Sequence, residues 1–277
     1  MMQNEQAIGI FDSGLGGLTV MDQIAKTLPN EKLIYLGDTA RLPYGDKSPE
    51  AITRYTIENT LFLMEQNIKL LVIACNTATA FTINKLKSLF NIPVIGVIDP
   101  GVTQALQITK NYHIGVLGTK GTIASRAYES KILEKKPDAT IISIACPLFV
   151  PLVEEGMQEH QATKLIIEEY LSPLKKYPID TLLLGCTHYP ILKPLIQRTV
   201  GQQMAIVDSA TTCADVVAAT LKEKQLETPL SYPQASQFFV TDNPEKFHLL
   251  GNKFLSTRMN HVAMVKALDP NCYPNLS

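Results

Sequence analysis

Two stretches of this 277-residue chain share one pattern: Leu71-Val72-Ile73-Ala74-Cys75-Asn76-Thr77-Ala78 and Leu182-Leu183-Leu184-Gly185-Cys186-Thr187-His188-Tyr189. Each is an aliphatic run, then a small residue, a cysteine, and a residue carrying an amide or hydroxyl. An uninterrupted apolar run of this length has no face to turn toward water, so it reads as a strand covered on both sides, as in a parallel sheet. Each cysteine then falls at the carboxyl end of its strand, where open α/β sheets place their ligands.

The rest of the chain follows the same rhythm. Ala7 to Phe11, Leu33 to Leu36, Leu70 to Ala74 and Val94 to Val97 read as strands, with helical patterns at Gly17 to Thr27, Pro49 to Gln66 and Thr77 to Leu89. Ser48-Pro49-Glu50 supplies a cap, a proline at the first helical position and an acid in the first turn. A second series runs through His113 to Leu117, Thr140 to Ala145 and Thr181 to Leu184. Strands alternating with helices predict βαβ units and mostly parallel sheets. Ile8-Gly9-Ile10-Phe11-Asp12-Ser13-Gly14 and Ile114-Gly115-Val116-Leu117-Gly118-Thr119-Lys120-Gly121 open the two series, with a cysteine strand at a similar distance downstream of each. A diverged duplication follows: two pseudo-symmetric α/β domains with the active site in the cleft between them. The first is expected to comprise residues 1–98 and 209–277, the second 99–208. Asp99-Pro100-Gly101 reads as the first crossover. Strands at Phe238 to Val240 and Val262 to Val265 require a return to the first domain after Val207-Asp208-Ser209, and the tail from Asp269, with Pro270 and Pro274, reads as irregular.

Composition narrows the class of function. A hydrophobic share of 45%, a charged share of 18% and a formal net charge of -1 suit a soluble globular protein and argue against a nucleic-acid-binding surface. No apolar run approaches the ~20 residues needed to cross a bilayer, and the polar Met1 to Gln6 segment lacks the pattern of a secretory signal, so a cytoplasmic location is expected. The five cysteines (Cys75, Cys146, Cys186, Cys213, Cys272) are odd in number and widely spaced, without a C-x-x-C pair. That argues against a disulfide framework or structural zinc and for free thiols.

Several residues are candidates for chemistry, each with a plainer alternative. A single buried cysteine is usually a small hydrophobe. Two at equivalent strand ends suggest two groups facing one substrate, able to take a proton from one face of a carbon and return it to the other. A free thiol, with pKa ~8.5, is mostly protonated at neutral pH. The helix N-terminus that follows each cysteine is expected to lower that by one or two units, with one cysteine as base and the other remaining a thiol as acid. Asp12 ends the first strand before Ser13-Gly14-Leu15-Gly16-Gly17 and either caps the turn or takes part in catalysis. The glycine spacing matches neither common phosphate-binding pattern; a tight turn that brings backbone amides to a carboxylate fits better. His188 is either a satisfied core residue or a proton carrier for Cys186. Glu154 and Glu155 read as acids in a first helical turn that complement its dipole, and Asp38 is ambiguous alone.

At these residues the chain resembles the glutamate racemases of the aspartate/glutamate racemase family. The resemblance covers most of the chain. It rests on the Phe11-to-Gly17 loop, Gly37-Asp38-Thr39-Ala40-Arg41-Leu42-Pro43-Tyr44-Gly45, both cysteine motifs, Gly96-Val97-Ile98-Asp99-Pro100-Gly101 and Cys146-Pro147-Leu148-Phe149-Val150-Pro151-Leu152-Val153-Glu154. It implies a cofactor-independent isomerase that interconverts L- and D-glutamate and supplies D-glutamate for peptidoglycan, with no metal. It implies that Cys75 removes the proton of D-glutamate and Cys186 that of L-glutamate. Asp12 would assist Cys75 and His188 would assist Cys186, with Glu154 (a better match than Glu155) and, in a lesser role, Asp38 as further acids. Asp12, Ser13, Tyr44, Gly45, Asn76, Thr77, Thr187 and His188 would contact substrate. The expected partner is glutamate, with no nucleic acid or membrane and a homodimer left open. The rival readings are a sibling racemase for aspartate or a hydantoin, a decarboxylase, and a two-domain amino-acid-binding protein.

Overall fold

The structure is a computed structural model describing residues 3–266; the tail expected from Asp269, with Cys272, lies outside the described residues. In the first half, strands β1 (Ala7–Asp12), β2 (Leu33–Gly37), β3 (Ile68–Ile73) and β4 (Val94–Gly96) alternate with helices α1 (Leu18–Thr27), α2 (Pro49–Glu65) and α3 (Asn76–Leu89). Helix α4 (Ile98–Ile108) leads into β5 (His113–Gly118), α5 (Lys120–Ala124), α6 (Ala127–Lys135) and β6 (Thr140–Ala145). Then come α7 (Phe149–Glu154), α8 (Gln161–Leu171), β7 (Thr181–Gly185), α9 (Tyr189–Val200) and β8 (Ala205–Asp208). The described residues end with α10 (Ser209–Glu223), β9 (Gln237–Val240), α11 (Pro244–Gly251) and β10 (Ala263–Met264).

Two sheets result, both parallel throughout: β10-β9-β2-β1-β3-β4 and β6-β5-β7-β8. The order β2-β1-β3-β4 in one is the order β6-β5-β7-β8 in the other, so the two domains are pseudo-symmetric, with β9 and β10 added to the first sheet. The central strands match even in their glycines. A Cβ on Gly9 would lie 2.7 Å from Ile68, and one on Gly115 would lie 2.8 Å from Leu182. The β-strand period of two divides each core. Ile8, Ile10, Leu70 and Val72 pack with residues of α1 and α10, while Phe11, Leu71 and Ile73 pack with α2 and α3. Leu182 and Leu184 face residues of α7, α8 and α9, and Val116 and Leu183 face α4 and α6.

The predicted start of α2 forms as expected: Ser48 accepts from the Ala51 N–H at 3.2 Å and Pro49 takes the first position. Asp99-Pro100-Gly101 is the first turn of α4, so the chain passes between the sheets through a helix rather than an irregular link. The strand β8 has no long apolar run to announce it; it is short and only partly buried at a sheet edge.

At the end of the first sheet away from the cysteines, Lys69 is fully buried. Its ammonium lies 2.6 Å from Glu31 and donates to the Asn4 carbonyl at 2.8 Å, and the other Glu31 oxygen accepts from the Thr228 N–H at 2.8 Å. Removing one partner of a buried ion pair leaves the other charge uncompensated, whereas replacing both by apolar groups can be nearly neutral. Glu31→Ala is therefore expected to lower stability by about 3–5 kcal/mol in urea unfolding, and Glu31→Leu combined with Lys69→Met by distinctly less.

Candidate active site

The carboxyl ends of β1, β3, β5 and β7 meet at one narrow cleft. Its lining includes Ser13, Tyr44, Gly45, Cys75, Asn76, Thr77, Glu154, Cys186, Thr187 and His188, ten of the residues singled out from sequence. Asp12 and Asp38 are fully buried and stand behind that lining. A wider groove on the second domain, between the start of α8 and α9, contains none of these residues.

The cysteines occupy equivalent strands but not equivalent turns. Cys75 is itself the cap of α3, its sulfur 3.5 Å from the Ala78 N–H and 3.7 Å from the Ser13 hydroxyl. Cys186 follows β7 directly, but α9 is capped by His188, two residues later. Both thiols are almost wholly excluded from water. The expected lowering by a helix N-terminus does not hold for Cys75: burial, reinforced by the charge of Asp12, pushes its thiol up to about 12. One amide N–H and one hydroxyl do not offset the loss of hydration.

Asp12 owes its place to the glycine loop. Its carboxylate accepts from the Gly14 N–H at 2.9 Å, from the Gly17 N–H, and from the Thr187 hydroxyl of the second domain at 3.3 Å. A Cβ on Gly17 would come within 2.4 Å of Asp12, and one on Gly16 within 2.4 Å of His188 Nδ1. The turn does bring amides to a carboxylate, and that carboxylate is the chain's own. Burial raises the Asp12 pKa, with the His188 charge and these donors acting against it.

Beside Cys186, His188 Nε2 lies 3.1 Å from Glu154, and its ring also hydrogen-bonds Cys186. Burial alone would lower the His188 pKa, but Cys186 and Glu154 outweigh it and carry it up to about 10. Glu154 and Glu155 lie at the carboxyl-terminal end of α7, not in a first turn, so the expected dipole complement is absent. They also diverge: Glu154 lines the cleft, whereas Glu155 is exposed and pairs with Lys246 of α11 at 3.7 Å.

Asp38 serves Tyr44. It accepts from the Tyr44 hydroxyl, from Arg41 at 2.7 Å, from Asn59 at 3.2 Å and from Thr241 at 2.9 Å. Sequence reasoning missed Thr119 and Thr122, whose hydroxyls form a triangle with that of Thr77 at 2.9–3.0 Å across the cleft. The signal was present: Thr119 follows β5 as Ser13 follows β1. All four described cysteines are free and buried. Among the described residues, no group of three or more His, Cys, Asp or Glu is placed to hold a metal ion, and no helix is long and apolar enough to cross a membrane.

The folded protein holds a proton on His188 that the unfolded chain, with an imidazole pKa ~6.5, releases first. Stabilisation by this site is complete below about pH 6.5 and is lost as pH rises toward about 10. Urea midpoints measured across that window are expected to fall, and His188→Asn is expected to flatten the fall.

Residues 8–217 match the Asp/Glu/hydantoin racemase family. A glutamate racemase from Geobacter metallireducens is 48% identical over 260 residues, covering 94% of this chain and 96% of that protein. The crystal structure of a glutamate racemase isoform from Bacillus anthracis superposes with a TM-score of 0.91 at 38% identity, covering 94% of this chain and 97% of that one. That of the Francisella tularensis glutamate racemase in complex with D-glutamate gives 0.90 at 37%, covering 95% and 98%. The chain belongs to the Asp/Glu/hydantoin racemase family, on the side of the glutamate racemases.

Proposed function

We propose that this protein interconverts L- and D-glutamate without a cofactor, by proton transfer between two cysteines on opposite sides of the substrate's α-carbon. The observation that carries the reading is the pair of buried thiols at matching strand ends, lining one cleft. The Francisella relative's complex with D-glutamate supports the choice of substrate. In the cytoplasm, where the composition suits it, such an enzyme supplies D-glutamate for peptidoglycan.

The α-proton of an amino acid is very weakly acidic, and the site has no pyridoxal electron sink in this reading. Stabilisation of the carbanion falls to fixed donors in a water-poor space: Ser13, Asn76, Thr77, Thr187 and turn amides. Residues 1–98 with 209–277, and 99–208, act as the two lobes that close over glutamate.

From L-glutamate, the Cys186 thiolate, stabilised by protonated His188, takes the α-proton. The electron pair left on carbon delocalises into the carboxylate, and the Cys75 thiol protonates the opposite face. A Cys75 pKa of about 12 suits this acid role in the substrate-free site. For D-glutamate the direction reverses, and Cys75 must first lose its proton. Asp12, buried beside it and itself raised in pKa, is the acceptor. Glu154 keeps His188 charged and oriented, while Asp38 holds Tyr44 in the wall of the cleft.

Purified protein given either enantiomer in deuterium oxide, with no cofactor added, is expected to incorporate deuterium at Cα and produce the other enantiomer. Equal turnover of aspartate, or dependence on an added cofactor, would sink the glutamate reading. Cys75→Ala and Cys186→Ala are each expected to abolish racemisation with the fold intact, and substantial residual activity in either would rule out two bases. Asp12→Asn and His188→Asn are expected to slow proton removal by about 10²–10⁴, the first more for D-glutamate and the second more for L-glutamate. One-way elimination from each enantiomer of an analogue bearing a leaving group reads that bias directly.

A further inference from the structure

Asn76 is 2% exposed, and its amide is half used. Its Oδ1 accepts from the Tyr128 hydroxyl at 2.7 Å, while Nδ2, which also lies buried, has no partner in the protein. Buried donors are nearly always satisfied, so an orphan NH2 in a cleft lining points to an acceptor that the ligand brings. An Asn amide presents two donors on one side and an acceptor on the other, and rotation by half a turn exchanges them. With the amide reversed, Asn76 would offer its oxygen to an anionic substrate and repel it.

The contact that favours this orientation comes from outside α3. Tyr128 lies on α6, is 2% exposed, and donates its hydroxyl hydrogen to Asn76 Oδ1. The side chain of Ser209, at the start of α10, hydrogen-bonds the same phenol. The ring packs closely against Gly185, next to Cys186, where a Cβ would lie 2.9 Å from it. We infer that Tyr128 is a positioning residue that fixes the Asn76 amide with its NH2 toward a carboxylate of the bound amino acid. This rests on the racemase reading above and deepens it, because the donor from the first lobe is aimed by a hydroxyl from the second.

The test compares KM and kcat for both enantiomers in Tyr128→Phe, Asn76→Ala and the double variant. Tyr128→Phe keeps the ring and is expected to raise KM about fivefold to tenfold, the scale of one hydrogen bond, with kcat changed much less. In the Asn76→Ala background the same substitution is expected to raise KM no further, which a general loss of packing would not reproduce. Ser209→Ala, which leaves the Tyr128–Asn76 bond but frees the phenol to rotate, is expected to raise KM less and again only when Asn76 is present. It serves as the probe if Tyr128→Phe does not fold. An unchanged KM, or an equal rise with and without Asn76, would overturn the inference while leaving an active wild type to support the racemase reading. An inactive wild type would overturn both.

Discussion

A carboxylate sealed from water governs this site. Asp12 ends the central strand of the first sheet, and burying it unpaired would cost several kcal/mol. Its donors come from two places: the amides of a glycine turn and the Thr187 hydroxyl of the second domain. The turn therefore tolerates no side chains at Gly16 and Gly17, because Thr187, His188 and Asp12 itself fill that space. The same carboxylate raises the Cys75 thiol and feels the charge of His188, so it links both halves of the chemistry.

The two halves share one strand order, and the turns after the strands make them different. Cys75 caps its helix and feels the charge of Asp12, whereas Cys186 stands ahead of its helix and hydrogen-bonds His188. An anionic neighbour favours the thiol and a cationic one favours the thiolate. The Asp12 charge thus adds to burial in keeping Cys75 a thiol.

Direct bonds between the domains converge on the cleft. Tyr128 reaches Asn76, Thr77 meets Thr119 and Thr122, and Thr19 donates to the Thr187 carbonyl at 3.2 Å. At the rim, Lys120 pairs with Asp46 at 3.6 Å and Lys246 with Glu155 at 3.7 Å. Exposed pairs of this kind contribute little to stability. The buried hydroxyl and amide contacts hold the two sides of the cleft together.

The alternation of aliphatic runs with helical patterns was enough to determine parallel α/β architecture, because a strand apolar on both faces has few other ways to be covered. The repeated cysteine motif was enough to put two thiols at strand ends. Helical position alone did not separate Glu154 from Glu155, and only the family resemblance favoured Glu154; the end of α7 brings Glu154 to His188 and leaves Glu155 exposed beside Lys246. Asp38 read as a candidate acid, yet the fold commits it to Tyr44 and Arg41. The Cys75 pKa followed the same rule, because local sequence supplies the helix N-terminus while burial and the Asp12 charge, which outweigh it, come from distant segments. Sequence by itself determined the strands, the turns and which reactive groups end them, all properties of short segments. Tertiary structure alone decided which groups share a cleft, which are sealed from water and which hold a proton, because hydration and charge are set by neighbours that the chain brings together only on folding.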